Sequence, residues 1–401
     1  MPNPKIQAKK EKGLPDQKRM TWTRSIGYFL VLGIFGLFTA SIGPIIPTLA
    51  VRFGVPIDKL GIIFTLRAFG FMFGSILGGI VYDRRSGHPI MAASLLAVGV
   101  LTALVPVADS LAAFSFLMAA IGLFLGINVV GASTFIVWEH PENTGAWVTT
   151  QGFINGVGAF ISPIVVAFFI DQTDGFEAPF WIYAGAMAAL GVYLWRVSSP
   201  VIRSQQKNQK QDSFGMPLIL LVTALLFLIY VGSEVSYSGW VFSIAESAYG
   251  LSPITAGTVT SLFWGGVAVG RILGIPLYKW LRVETILYVC FMIAMAALAL
   301  MLLLPQSSAL LWVGTVLFGL GMSLIFPSLM TFADQHLNLT GKKTSVFFIA
   351  TSLGGMTIPL SSGLLFSRFQ PHAVFLGLLA GMGVALGLFR FVARAAHRVQ
   401  G

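Results

Sequence analysis

The sequence predicts an all-α membrane protein of twelve transmembrane helices, built as two parallel six-helix repeats. Three observations predict this: an apolar composition, a duplicated pattern of glycines, and a lopsided distribution of Lys and Arg. Of 401 residues, 56% are apolar and 10% charged, and the mean hydropathy is +0.83. A soluble domain of this length needs far more charge to cover its surface. The apolar runs reach about 20 residues or more, enough to cross ~30 Å of hydrocarbon as helix. Only helices or closed barrels satisfy their backbone groups in lipid, and these runs lack the alternation of barrel strands.

Shifted by 196 residues, the chain places eleven glycines on glycines, among them Gly43/Gly239, Gly54/Gly250, Gly61/Gly257, Gly70/Gly266, Gly74/Gly270 and Gly78/Gly274. Chance predicts about two such coincidences. Tyr82/Tyr278 and Pro163/Pro359 share the offset. The chain is therefore two copies of one unit. In an apolar chain such duplication marks a transporter with its site between the halves.

The elements follow in order. Residues 1–24 form a basic tail, Lys5 to Arg24, read as a topology determinant. Spans are expected at 25–50, 58–82, 88–108, 110–138, 146–171 and 178–198 in the first copy, making a bundle over 25–198. No small-residue cleavage site follows the first run, which is read as span one and not a signal peptide. A polar linker over 199–215 with Arg203, Lys207 and Lys210 joins the copies. The second copy, 216–395, has spans at 216–241, 253–279, 283–304, 309–334, 343–367 and 372–395, and a short tail over 396–401. Six spans per copy is an even number, so both copies enter the membrane in the same sense.

With both termini cytoplasmic, 20 of the 25 Lys and Arg fall in cytoplasmic segments. That is the expectation for a multi-pass protein of the cell inner (plasma) membrane. The net charge of +10 then says nothing about nucleic acid, and none is expected as a partner. The expected partners are the lipid bilayer and a small-molecule solute, with the chain a monomer. Cys290 is the only cysteine, which excludes a disulfide within the chain. No metal site and no cofactor are expected beyond a coupling ion, H⁺ or Na⁺. Asn338-Leu339-Thr340 matches a glycosylation sequon but falls in a loop assigned to the cytoplasm. Span interiors hold no His, no paired acids and no nucleophile–base spacing, so no enzyme is expected and no residue is assigned a catalytic role.

Gly70, Gly74 and Gly78 in span two, with Gly266, Gly270 and Gly274 in span eight, recur every four residues on one helix face. Such stripes let a neighbouring backbone approach closely. They fit either static packing or a smooth surface on which the two bundles rock. Pro163 and Pro359, mid-span, are expected to weaken or kink helices five and eleven.

A single off-centre site need not repeat, so polar residues without a twin are the candidates for function. Glu234 faces Phe38 in the other copy, Arg67 faces Phe263, and Arg271 faces Ser75. Tyr237 faces Ser41, Trp240 faces Pro44, Trp264 faces Ala68, Gln151 faces Phe347 and Asn155 faces Thr351. Glu234 is the only acid well inside a span. A charge at mid-membrane costs on the order of 3 kcal/mol and is a functional candidate by default. Its carboxylate can bind a proton, coordinate sodium or accept from a substrate hydroxyl; a fixed ion pair with Arg67 is the competing structural reading. Glu234, Tyr237 and Ser238, spaced i, i+3, i+4, are expected on one helical face. Tyr237, Trp264, Phe263 and Trp240 offer rings on which a sugar's C–H face packs, although Trp240 also fits an interface anchor. Asn128, Gln151 and Asn155 are candidate substrate ligands or interhelical glue. Arg67 and Arg271 cannot be neutralised and need an anion or carbonyls. With Asp83 and Arg84 they form a candidate gating network; Glu139 is a possible partner of the Asp83-Arg84-Arg85 turn.

At these residues the chain resembles the major facilitator superfamily over essentially its whole length. Gly79-Ile-Val-Tyr-Asp83-Arg84-Arg85-Ser-Gly87 is similar to the superfamily's loop-two pattern, with the last glycine one place off and His88 where a basic residue is usual. Tyr230-Val-Gly232-Ser-Glu234-Val-Ser-Tyr237-Ser-Gly-Trp240, then Ser261-Leu-Phe-Trp264-Gly265 and Gly270-Arg271, is similar to the branch containing the fucose permease and the sodium-dependent glucose transporters. Arg67-Ala-Phe-Gly70 and Gly341-Lys342-Lys343 fit that branch too. The resemblance implies a monosaccharide carrier driven by H⁺ or Na⁺ through alternating access (sugar symport), with Glu234, Tyr237, Trp264, Arg67, Gln151 and Asn155 at its site. The branch tends to carry acids in helices one and four; this chain has none in helix one and only Asn128 within helix four. Coupling therefore rests on Glu234 or is absent. An exporter of drugs or metabolites on the same fold is the alternative.

Overall fold

The computed structural model describes residues 4–82, 84, 87–142, 144–200, 218–337 and 341–400. Asp83, Arg85, the sequon at 338–340 and the linker from 201 to 217 lie outside the described residues, so the expectations placed on them have no structural counterpart here. Among the described residues there are helices and turns but no strand.

Among the described residues, twelve helices are long and apolar enough to cross a membrane. Spans one to six are Met20–Phe53, Ile57–Tyr82, Gly87–Val107, Leu111–Glu139, Trp147–Thr173 and Glu177–Arg196. Spans seven to twelve are Leu218–Tyr249, Pro253–Trp280, Val283–Leu303, Ser308–Leu337, Lys343–Arg368 and Ala373–Ala395. Span one continues a helix that begins at Pro4. Span seven runs well past the expected position 241, because Phe242, Ile244 and Ala245 are buried and extend the packed length. It stops at Gly250, whose φ of +62° only glycine adopts without strain; its repeat twin Gly54, at +61°, ends span one the same way.

Span ten is not continuous. Helix Ser308–Met322 gives way at Ser323 to helix Ile325–Leu337. Pro327 has no N–H to offer the Ser323 carbonyl, so the break falls just ahead of it. Pro163 and Pro359, by contrast, sit inside helices that continue through them.

Each glycine stripe works inside its own bundle. A Cβ on Gly78 would come within 3.1 Å of the Ile127 Cα in span four, and Gly70 and Gly74 abut the Ala119 and Leu123 carbonyls of the same span. Gly266, Gly270 and Gly274 lie against span ten in the same manner. The rocking surface that the stripes allowed is therefore not where they are; they are fixed intra-bundle seams.

The bundles meet through other positions. A Cβ on Gly43 of span one would come within 2.6 Å of the Ser238 carbonyl in span seven. Gly61 of span two lies against Leu360 of span eleven, and its twin Gly257 of span eight lies against Pro163 of span five. Thr65 donates to the Met356 carbonyl at 2.7 Å. Trp240, expected as a possible interface anchor, is fully buried. Its Nε1 donates to the Pro359 carbonyl at 2.9 Å, and its ring centroid lies 6.3 Å from that of Phe64. All these contacts lie toward the helix ends remote from the inter-repeat linker, hereafter the far end.

Candidate functional site

On the linker side of that closed layer lies a cavity of about 220 Å³ between the bundles. The order of residues along each span fixes its depth. Span two runs inward from Gly61 through Phe64, Arg67, Ala68 and Phe71, and the last four line the cavity. Span seven contributes Val231, Glu234, Val235 and Ser238, and span eight Trp264 and Arg271. Phe35 and Thr39 come from span one, Asn155 from span five, and Thr351, Ser352 and Gly355 from span eleven.

Glu234 thus faces the cavity and not lipid. Its Oε1 accepts from the Tyr230 hydroxyl, one helical turn away, at 3.0 Å. Arg271 acts electrostatically on both Glu234 and Tyr230. Its Nη1 donates to the Gly152 carbonyl at 2.9 Å, so one guanidinium ties span eight to span five of the other bundle. Among the described residues ion pairs form between Arg24 and Glu139 and between Arg52 and Glu177, and Glu234 is in neither. The fixed pair of Glu234 with Arg67 is therefore absent. Arg67 is 8% exposed, and its Nε is buried without a hydrogen-bond partner. Trp264, 9% exposed, presents an indole Nε1 without a partner, and the Asn155 Oδ1 is likewise unpartnered.

The structure separates the remaining candidates. Tyr237 is buried inside the second bundle, its hydroxyl 2.7 Å from Thr315 Oγ1 and its ring packed against Phe263 and Phe318. With ~100° per residue, i+4 falls near residue i while i+3 falls on the other side of it, so Ser238 joins Glu234 and Tyr237 turns away. Asn128 is fully buried, donating to Ser94 Oγ at 2.8 Å and to the Phe124 carbonyl at 2.9 Å; it glues span four to span three. Gln151 donates to the Ala132 carbonyl at 3.1 Å and joins span five to span four. Neither lines the cavity. Arg84 is exposed at its turn. Glu139 pairs with Arg24 at 2.7 Å.

Thr39, Thr351, Ser352, Tyr230 and the three phenylalanines were not among the sequence candidates. The repeat offset held the signal for several. Phe35/Val231, Thr39/Val235, Ala68/Trp264 and Asn155/Thr351 are twins at 196 residues, and both members of each pair line the cavity. A cavity near a pseudo-two-fold axis is lined by twins, whereas looking for broken symmetry keeps only one partner of each pair.

The arrangement holds hydroxyl and amide groups, flat rings and three charged side chains in one small space at mid-membrane. No group of three His, Cys, Asp or Glu able to hold a metal occurs among the described residues. The sequence profile of the Major Facilitator Superfamily matches residues 28–359. The human protein named sodium-dependent glucose transporter 1 is 26% identical over 390 residues, covering 88% of this chain and 75% of that one. Major facilitator superfamily domain-containing protein 4A of Danio rerio is 23% identical over 471 aligned positions, covering 95% and 90%. Among solved structures, a point mutant of the nucleoside transporter NupG superposes with a TM-score of 0.76 at 14% identity, covering 93% of this chain and 99% of that one. With a match over that much of its length, the chain belongs to the Major Facilitator Superfamily.

Proposed function

We propose that the protein is a secondary active transporter that moves a small polar solute, a monosaccharide, by alternating access coupled to H⁺ or Na⁺. The observation that carries this reading is the placement of Glu234, the one acid deep in a span, on a cavity between the duplicated bundles. The volume supports a small cargo. About 220 Å³ lies below the ~300–1,000 Å³ of drug-sized sites, which weighs against an exporter of bulky drugs. The mixture of lining groups suits a sugar, whose hydroxyls meet Thr39, Asn155, Ser238 and Thr351 while its C–H face packs on Trp264 or a phenylalanine. The relatives named as sodium-dependent glucose transporters support the same solute class.

In this reading the positive-inside rule sets the linker and both termini in the cytoplasm of a cell whose inner (plasma) membrane holds the carrier. The conformation closed at the far end is then inward-facing. Opening the far layer, between Gly43 and Ser238 and between Gly61 and Leu360, while the linker-end helices close about the Arg271–Gly152 tie already in place, would complete the cycle. Glu234 links the two by changing charge when an ion arrives, which alters its interaction with Arg271. One charge moving down 100 mV supplies about 2.3 kcal/mol, roughly fifty-fold accumulation.

The test is Glu234→Gln in proteoliposomes with pH and sodium gradients imposed separately. Uphill uptake should disappear while counterflow of the same sugar persists. A variant that still concentrates the solute would sink the coupling role.

A further inference from the structure

The cavity carries more positive charge than a neutral sugar needs. Its ionisable lining groups are Arg67, Arg271 and Glu234, a formal excess of one positive charge. Arg271 is engaged: it acts on Glu234 and Tyr230 and donates to the Gly152 carbonyl. Arg67 is not. It is more than nine-tenths buried, its Nε has no hydrogen-bond partner, and among the described residues no ion pair includes it. A guanidinium stays charged at any physiological pH, and a buried cation without an anion is costly. Its planar fork matches a carboxylate or a phosphate, and the single excess charge of the cavity suits the monoanionic carboxylate.

We propose that the solute is anionic: a monosaccharide bearing one carboxylate, of the hexuronate class, whose carboxylate is held by Arg67 while its ring lies toward Trp264 and Glu234. This rests on the sugar-carrier reading above and narrows it. Span two presents Arg67 one turn beyond Phe64 and one turn before Phe71, and all three line the cavity, so apolar rings flank the cation along the span. The indole Nε1 of Trp264 and the Asn155 Oδ1 are buried in the cavity wall without partners, a donor and an acceptor that a small turn of either side chain would bring to the sugar hydroxyls. The arrangement also explains how ion and solute bind together. A cation or proton taken up at Glu234 raises the cavity charge by one, and the anionic solute then binds more tightly; by linkage the solute tightens the ion equally.

The purified full chain in detergent tests this directly. Thermal unfolding is followed while glucuronate, glucuronamide, glucose and glucose 6-phosphate are titrated in turn. Glucuronamide has the shape of glucuronate without its charge. Glucuronate should half-saturate at a concentration about tenfold or more below that of glucuronamide, the effect of one charge-assisted contact. Arg67→Gln should erase that difference while still responding to glucuronamide, and Arg67→Lys should keep part of it. Glucose or glucuronamide binding as well as glucuronate overturns the anionic solute and leaves the sugar reading standing. Glucose 6-phosphate binding tightest overturns the carboxylate. No response to any of the four overturns the sugar reading itself. If Arg67→Gln does not fold, the wild-type comparison of glucuronate with glucuronamide still decides, and an Arg67→Gln protein that keeps the preference removes Arg67 from the site.

Discussion

Span two is held by glycine contacts on two sides, and the two differ in kind. Toward span four, Gly70, Gly74 and Gly78 form a seam about two turns long, each glycine set against backbone of the same bundle. Toward span eleven of the other bundle, Gly61 meets Leu360 closely near the far end, beside the Thr65–Met356 hydrogen bond, and deeper along the span Gly355 faces Ala68 with ordinary van der Waals room to spare. Deeper along that second side the contact gives way to the cavity. A continuous backbone seam cannot be parted without losing packing along its whole length, whereas a few contacts at one end can be broken and remade. The difference separates the parts of the molecule that must stay together from those that must part.

That division is open to attack in four places. The largest effect is expected from Gly74→Val. Any Cβ at this position meets the Leu123 carbonyl, backbone that cannot rotate aside. The cost should reach or exceed the upper end of the ~1–3 kcal/mol usual for over-packing, seen as loss of monodisperse protein or a large fall in thermal midpoint. A Gly74→Val protein as stable as wild type would dissolve the distinction.

Gly43→Val should behave differently. Its Cβ would collide with the Ser238 carbonyl in the other bundle, so the conflict is relieved by opening the far end. The protein should fold, and its population should shift toward the far-open state by about 1–3 kcal/mol. A cysteine introduced at Thr39, in a background with Cys290→Ser, should then react faster with an impermeant thiol reagent applied from the far side. Unchanged reactivity together with lower stability would make Gly43 another static seam.

Thr65→Val removes one inter-bundle hydrogen bond of the closed layer. It should shift the same equilibrium in the same direction by about 1 kcal/mol, several-fold in far-side labelling. An effect larger than that of Gly43→Val would reverse the ranking.

The smallest effect concerns the linker end of the first bundle. His140 stacks on Trp147 with centroids 3.6 Å apart and approaches Ser25 with its Nε2 at 2.7 Å. Burial pushes its pKa below the ordinary 6.5, with the neighbouring Glu139 opposing in part. The unfolded chain therefore takes up this proton at higher pH than the folded one. The stability that the neutral ring contributes is full above about 6.5 and is lost as pH falls toward the lowered folded value. His140→Gln should flatten the fall in thermal midpoint between neutral and mildly acidic pH while leaving transport unchanged, since the contact lies within one bundle. A larger acid loss in the variant would contradict the sign.

The repeat register, the twelve spans and Glu234's approach to a central cavity were legible in the chain, because lipid forces long apolar helices and makes a buried acid conspicuous. The break in span ten was not, since Pro327 reads like any other tolerated intramembrane proline until its carbonyl partner is placed. Of the polar candidates, Glu234, Arg67, Arg271, Asn155 and Trp264 line one cavity, while Tyr237, Gln151 and Asn128 turn into the bundles. Composition treats these residues alike. What divides them is the rotation of each helix about its own axis, about 100° per residue, and that rotation is set by packing against neighbours far along the chain.

By itself, then, the amino-acid order determined that this is a duplicated membrane protein and which side chains are too polar to face lipid. Only the tertiary structure decided that Glu234 answers to Arg271 and not to Arg67, and that Arg67 stands in the cavity without an anion. Hydropathy is a local property and survives in one dimension. The pairing of charges depends on which helices touch and at what depth, and that information is spread over residues far apart along the chain.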